Sequence, residues 1–159
     1  MYTVAFTDED KEKAQHLSKE VGKLNNSIEQ GKGNFAGFLG EIAAQRIYGG
    51  RIENTYQYDL LLPDGRKADV KTKRTSTPPL DYYDCSVANF NTHQECDIYI
   101  FCRVHYDNTK AWVLGHYDKR DYIKDARRLK KGDQDGDNGF IVRADCYNLA
   151  INKLNTALS

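Results

Sequence analysis

Five residues, Leu62-Pro63-Asp64-Gly65-Arg66, constrain the chain more than any other stretch, because they force two extended runs to meet. Pro63 presets the first central position of a type I turn and Asp64 suits the second. Gly65 takes the left-handed conformation that closes a three-residue hairpin with a G1 bulge. The register follows: Leu62 faces Arg66, Leu60 faces Ala68, and Asp59 faces Asp69. Facing Cβ atoms stand about 4.5 to 5.5 Å apart, and like charges directly opposite destabilise a sheet. By the two-residue period, Asp69, Lys71 and Lys73 share one face, while Ala68, Val70 and Thr72 share the other. The segment from Tyr58 to Arg74 therefore predicts an apolar hairpin that holds two carboxylates together with an ammonium beside them.

A divalent cation reverses the sign of such a cluster. Hard oxygen ligands from one or two carboxylates, completed by waters and substrate phosphate, suit Mg²⁺. A solvated strand face accounts for the same charges without any ligand, since charged residues are ordinary there. A third acid favours the cation. In "GFLGEIAAQRIYG", Glu41 lies among apolar and small residues, with Gly37, Phe38 and Ala44 on neighbouring positions of the same helical surface.

The surrounding chain reads as helices flanking strands. Thr7 and Asp10 form a capping box with Asp in place of Glu, and Ala14, Leu17, Val21, Leu24 and Ile28 recur at helical spacing, predicting a helix from Asp8 to Asn25. "EQGKGN" interrupts it with two glycines, and a second helix begins at Phe35 and stops at Gly49-Gly50. Strands are predicted at "TYQYDLLL", "KADVKT", "CDIYIFCRV" and "AWVLGHY", followed by a helix over "DKRDYIKDARRLKK", a loop at "GDQDGDNG", a short strand at "FIVRA" and a helical end in "YNLAINKLNTAL". Strands in the middle with helices on both flanks indicate an α/β or α+β layer fold, and the α/β form is a central mixed sheet flanked by helices.

At 159 residues with no Pro/Gly/Ser linker, the chain is expected to form a single domain, 1–159. Its longest apolar run, "IYIFCRV", is far short of the roughly 20 residues a membrane helix needs, and no basic segment precedes an apolar stretch at the start. No membrane partner and no export are expected, and the four cysteines are read as reduced thiols of a cytoplasmic protein. The 23 basic and 23 acidic residues cancel, which excludes coating of nucleic acid by net charge alone and leaves room for a local basic face.

In chain order, the acids form a set: Glu41 on a helix, Asp59 on a strand, then Asp69-Val70-Lys71 on the partner strand. This set resembles the PD-(D/E)xK nuclease superfamily, and "DLLLPDGRKADVKTK" is similar to the hairpin of phage junction-resolving and restriction-endonuclease-like proteins. Tyr58 stands where the motif carries proline. The resemblance implies a restriction-endonuclease-like core and Mg²⁺-dependent hydrolysis of DNA phosphodiesters, with Mn²⁺ as a substitute. It also implies the host cytoplasm as location if the chain is phage-encoded, and it admits a homodimer, because cutting two strands takes two sites. It makes Asp59, Asp69 and the backbone carbonyl of Val70 metal ligands, with Glu41 ligating through water or completing a second position. Lys71 would orient the attacking water and stabilise the transition state. Lys73 and Arg74 would contact the DNA backbone. Independently, the basic run in "DKRDYIKDARRLKK" makes Lys119 and Arg120 either part of a DNA-facing surface or of a plain solvated helix. Alternatives from other classes are a catalytically silent nucleic-acid-binding module and an interaction protein with a chance acidic hairpin.

Two other constellations fail on spacing. Cys96 and Cys102 bracket a predicted strand and so lie roughly 20 Å apart, too far to share zinc with His93 and His105. "GDQDGDNG" alternates acids as a calcium loop does but has Asn138 where the glycine is needed and Ala144 in place of the final glutamate. Asn91, His93 and His116 carry no spacing that fixes a role.

Overall fold

The protein is described by a computed structural model over residues 1–25, 30–134 and 141–156, with side chains outside 21–25 and 30–34. In chain order the elements are β1 (Tyr2–Ala5), α1 (Asp8–Asn25), α2 (Gln30–Tyr48), β2 (Arg51–Ile52), β3 (Leu60–Leu61), β4 (Lys67–Thr75), β5 (Asp84–Ala88), β6 (Ile98–His105), β7 (Lys110–Asp118), α3 (Lys119–Asp125), β8 (Arg127–Leu129) and β9 (Cys146–Ala150). Short 3₁₀ turns follow β5 at Asn89–His93 and β9 at Ile151–Lys153. The class is α/β. A mixed sheet runs β1-β7-β6-β4-β3-β2, and a second sheet runs β5-β9-β8.

The pairing β4–β6 is parallel, and every other strand pairing is antiparallel. A parallel pair needs a crossover, and residues 76–97 supply it, carrying β5 and its 3₁₀ turn across one face of the main sheet. Both faces of β6 are therefore covered, which is why its sequence is nearly unbroken in apolar residues. Ile98, Ile100, Cys102 and Val104 pack with Leu39, Ile42 and Ala43 of α2. Tyr99 and Phe101 face the other way, onto Val87, Leu149 and Tyr122. The Tyr122 hydroxyl lies 2.9 and 2.8 Å from the carbonyl oxygens of Cys85 and Tyr147, so a fully buried ring brings its polar atom to a partner and pins α3 to the second sheet.

The capping box opens α1 as its sequence implies: Asp10 N donates to Thr7 Oγ1 at 3.1 Å and Thr7 N donates to Asp10 Oδ2 at 2.9 Å. Arg46 of α2 then clamps the Asp10 carboxylate with two bonds of 2.8 and 2.9 Å, fixing α1 against α2. The hairpin turn also forms as read, with Gly65 at φ +90, Gly65 N bonded to Leu62 O, and Leu60 opposite Ala68.

Several elements differ from the sequence reading. α2 begins at Gln30 rather than Phe35, running through Gly31 and Gly33, since helical glycine costs about 1 kcal/mol against alanine and is not forbidden. Of "TYQYDLLL" only Leu60–Leu61 is strand; residues 53–59 are a loop held by Thr55 Oγ1 and the Tyr58 carbonyl. The basic run after β7 is helical only to Asp125, because Arg127–Leu129 pairs with β9. β9 occupies the start of the segment expected to end in a helix, a 3₁₀ turn follows at Ile151–Lys153, and residues 157–159 of that expected end lie outside the described residues; Ile141 makes a lone bridge with Gln134 where a strand was expected. The expected loop at "GDQDGDNG" lies mostly outside the described residues, as does Ile28 of the α1 pattern.

Candidate active site at the open end of the acidic hairpin

Strand β3 stops at Leu60, so β4 continues past it with a free edge from Asp69 onward. Asp59 turns into that gap. Its backbone N–H still bonds to the Ala68 carbonyl at 3.0 Å, and its Oδ2 accepts the Val70 N–H at 2.9 Å. The N–H and C=O of one strand residue leave on the same side, so the Val70 carbonyl emerges on this edge too. Asp69 and Lys71 align with Tyr99 and Phe101 on the face away from α2. Glu41 reaches the same edge from the helix side, carried there by the close approach of Gly40 to Thr72.

The three acids meet. The carboxyl groups of Glu41 and Asp59 are within hydrogen-bonding reach of each other, as are those of Asp59 and Asp69. Glu41 is 7% exposed and Asp69 4%. Burial first, then the Asp59 carboxylate, pushes Glu41 from the ordinary 4.5 up to about 10. Burial and Asp69 push Asp59 up to about 8, against the pull of the Val70 N–H. Glu41 and Asp59 hold protons more tightly because burial disfavours their charge and the neighbouring carboxylates repel it.

Lys71 closes the cluster. Its Nζ lies 2.5 Å from Asp69 Oδ2, 3.3 Å from Gln94 Oε1 and 5.8 Å from the centre of the Tyr99 ring. Gln94 is tied in turn: its Nε2 donates to the Tyr56 carbonyl at 2.7 Å, and its own carbonyl accepts from Lys119 Nζ. The ammonium is thus fixed from three sides. Asn54, at φ +50, supplies the acids' hydrogen-bond donor. With its amide turned to donate, its nitrogen lies 2.5 and 3.0 Å from the two Glu41 oxygens. Sequence reading missed both amides. The only trace of Asn54 was its residue type, one that tolerates the left-handed region.

As the side chains stand, no three His, Cys, Asp or Glu among the described residues surround a common ligand point. The carboxyl groups instead stand within hydrogen-bonding reach of one another. The donor set itself fits a hard cation: carboxylate oxygens, a backbone carbonyl edge, and, at Glu41 and Asp59, proton affinities raised by burial and by the neighbouring acids. Ligation would replace these carboxyl–carboxyl contacts. Cys96 stands beside the cluster, but burial first and Asp69 second push its thiol up to about 11, so at neutral pH it is a neutral thiol and not a nucleophile.

The expected backbone-binding residues divide. Lys73 shares the Lys71 face and lines a cleft of about 300 Å³ together with Ser86, Asn91 and Arg103. Arg120 is exposed at the start of α3. Arg74 is held at the far end of β4, where its guanidinium donates to the Tyr106 carbonyl at 2.9 Å and to Asn108 Oδ1 at 3.0 Å. Lys119 is committed to Gln94. His93 is exposed, and His116 bonds Tyr48 through Nδ1 at 2.8 Å. All four cysteines are free, and Cys102 faces Gly40 under α2. Among the described residues no helix is long and apolar enough to cross a membrane.

No protein-family model matches the sequence, and no curated protein matches it.

Proposed function

We propose that the chain is a Mg²⁺-dependent DNA endonuclease of the PD-(D/E)xK kind, with Mn²⁺ able to substitute. The observation that carries this reading is the convergence of Glu41, Asp59, Asp69 and Lys71 from one helix, one strand end and one strand at a single sheet edge. A helix followed by a β-meander, with the acids where the meander opens, also supports a restriction-endonuclease-like core.

Asp59, Asp69 and the Val70 carbonyl would hold the ion, with Glu41 as a further ligand directly or through water. When bound, the ion lowers the pKa of a water and neutralises charge on the scissile phosphate. The chain's own residues do the rest. Lys71, held in place by its ion pair with Asp69 and its hydrogen bond to Gln94, orients the water through its oxygen and stabilises negative charge on the phosphoryl oxygens in a recessed, low-dielectric site. Asn54 holds Glu41 in one orientation, as an outer-shell donor does for a ligating carboxylate. Water's oxygen bonds to phosphorus and gives up a proton to solvent, the bridging P–O bond breaks, and the departing oxygen takes up a proton from solvent. No Ser or Cys nucleophile is needed.

Incubation with plasmid, a four-way junction and single-stranded DNA in Mg²⁺ tests this, beside Asp69→Ala and Lys71→Ala proteins. The reading expects metal-dependent cleavage that both substitutions abolish. Cleavage surviving in both variants would remove these residues from the site.

A further inference from the structure

Residues 53–59 carry two of the groups at the acids, Asn54 and Asp59, yet none of them lies in a strand. The loop closes on itself instead. The Asp59 carbonyl accepts from Glu53 N at 2.8 Å and from Asn54 N at 3.2 Å, and Thr55 N donates to the Tyr58 carbonyl at 2.9 Å. A short loop whose ends are bonded together behaves as one compact unit, so whatever fixes its far side places Asn54 and Asp59 together. Its flanking strands, β2 and β3, are two residues each and hold little of it.

The far side is held by two glutamines. Gln94 Nε2 donates to the Tyr56 carbonyl at 2.7 Å, and Gln57 Oε1 accepts from Glu95 N at 2.6 Å. Each side-chain amide bonds the main chain next to the other, so residues 56–57 and 94–95 are clasped by side chains where a sheet would use backbone. The 94–95 half is anchored. Lys119 Nζ donates to the Gln94 carbonyl, Asp97 N donates to the Lys67 carbonyl at 2.8 Å, and Lys67 N donates to Asp97 Oδ2 at 2.8 Å. Lys67 opens β4, two residues before Asp69. The clasp therefore sets the loop bearing Asp59 against the strand bearing Asp69 and Lys71. Gln94 also serves Lys71, whereas the half-buried Gln57 side chain makes this one hydrogen bond among the described residues.

We infer that Gln57 is a positioning residue: its bond to Glu95 N holds the loop so that Asp59 stays on the Val70 N–H and Asn54 on Glu41. The inference rests on the nuclease reading for the use made of those acids. Amide hydrogen exchange followed by NMR on the full chain in EDTA tests it, because the Glu95 N–H reports the clasp and the Val70 N–H reports Asp59. Gln57→Leu keeps the bulk and removes the acceptor, while Gln57→Glu keeps an acceptor. Gln57→Leu should speed exchange about tenfold or more at both amides, with the β6 amide of Ile100 unchanged as the sign that the fold has not loosened. By calorimetry Gln57→Leu should bind Mg²⁺ about tenfold more weakly, the usual cost of an outer-shell partner, and Gln57→Glu should recover most of that loss. Adding Asn54→Gly to Gln57→Leu should weaken Mg²⁺ further by less than Asn54→Gly does in the parent, since the displaced loop has already taken Asn54 off Glu41. Unchanged exchange at Glu95, or faster exchange at Glu95 with Val70 still protected and Mg²⁺ affinity intact, overturns the inference. Joint loss of protection at Glu95 and Val70 in a protein whose parent binds no Mg²⁺ or Mn²⁺ upholds the clasp and defeats the nuclease reading instead.

Discussion

The side-chain oxygen of Gln94 lies 3.3 Å from Lys71 Nζ, and its side-chain nitrogen lies 2.7 Å from the Tyr56 carbonyl. One amide therefore ties the ammonium to the loop that precedes Asp59. Lysine has four rotatable carbons, and a catalytic ammonium that wanders by an ångström loses much of its effect. Removing Gln94 leaves Lys71 anchored, among the described residues, by its ion pair with Asp69.

Gln94→Ala should accordingly lower kcat for Mg²⁺-dependent cleavage by about tenfold, roughly the worth of one hydrogen bond to a charged group, with KM nearly unchanged. Gln94→Glu keeps an acceptor and should restore part of the rate. A purely structural Gln94 predicts lost thermal stability in Gln94→Ala that accounts for the whole loss of rate, and no recovery in Gln94→Glu beyond its recovery of stability.

Much of this site was legible in the sequence because its decisive features are local. Pro63, Asp64 and Gly65 set the turn, the turn set the register, and the two-residue period put Asp69 and Lys71 on one face. Glu41 was legible as a carboxylate on an otherwise apolar helical surface. Gln94 and Asn54 were not, since they enter from loops that carry no period and meet the acids only through the tertiary fold. The same holds for Arg127–Leu129. Its residues favour a helix by propensity, and only the presence of β9, distant in sequence, draws them into a strand.

The acid cluster makes stability depend on pH in an unusual direction. Glu41 and Asp59 bind protons more tightly in the folded chain than unfolded, being raised from 4.5 to about 10 and from 3.8 to about 8. The stability they contribute is full below the unfolded values and is lost as pH rises through the folded ones. In EDTA the melting temperature should fall between mildly acidic and alkaline pH, and Glu41→Gln should melt higher than the parent at alkaline pH. Added Mg²⁺ should raise the parent's melting temperature most where the acids are most ionised, and Glu41→Gln should lose most of that gain. A flat alkaline profile, indifferent to Mg²⁺, would count against a cation at these acids.

Asn54 sits at φ +50, and its side chain donates to Glu41, so backbone and side-chain roles can be separated. Asn54→Gly accepts the same backbone conformation and removes only the donor. Its Mg²⁺ affinity, read by calorimetry with the thermal midpoint as control, should fall roughly tenfold, the usual cost of losing an outer-shell partner. Asn54→Ala should lose the same affinity and be less stable than Asn54→Gly by about 1 kcal/mol, because it keeps a Cβ in the left-handed region without the polar side chain that lets asparagine tolerate it.

Gly40 is the point where α2 meets β4. A Cβ placed there would stand 2.0 Å from Thr72 Oγ1 and 3.0 Å from both Thr72 Cβ and Cγ2, on a β-branched side chain that is stiff about χ1. The helix must move outward instead, and Glu41 is the next residue along it. Gly40→Ala should therefore cost about 1 to 3 kcal/mol in urea unfolding, as overpacking does, and should also weaken Mg²⁺ binding because Glu41 is carried off the sheet edge. The second loss distinguishes this substitution from an ordinary core defect. Thr72 Oγ1 is buried without a hydrogen-bond partner, so Thr72→Ala alone should cost little for the hydroxyl it removes. Combined with Gly40→Ala it clears the closest clash and leaves only the contact with Thr72 Cβ, so the double variant should regain part of both stability and Mg²⁺ affinity. The coupling energy between the two sites should be favourable by about 0.5 kcal/mol or more, as expected for residues in direct contact. Strict additivity in that cycle would show that α2 does not rest on Thr72 in the way that brings Glu41 to the acids.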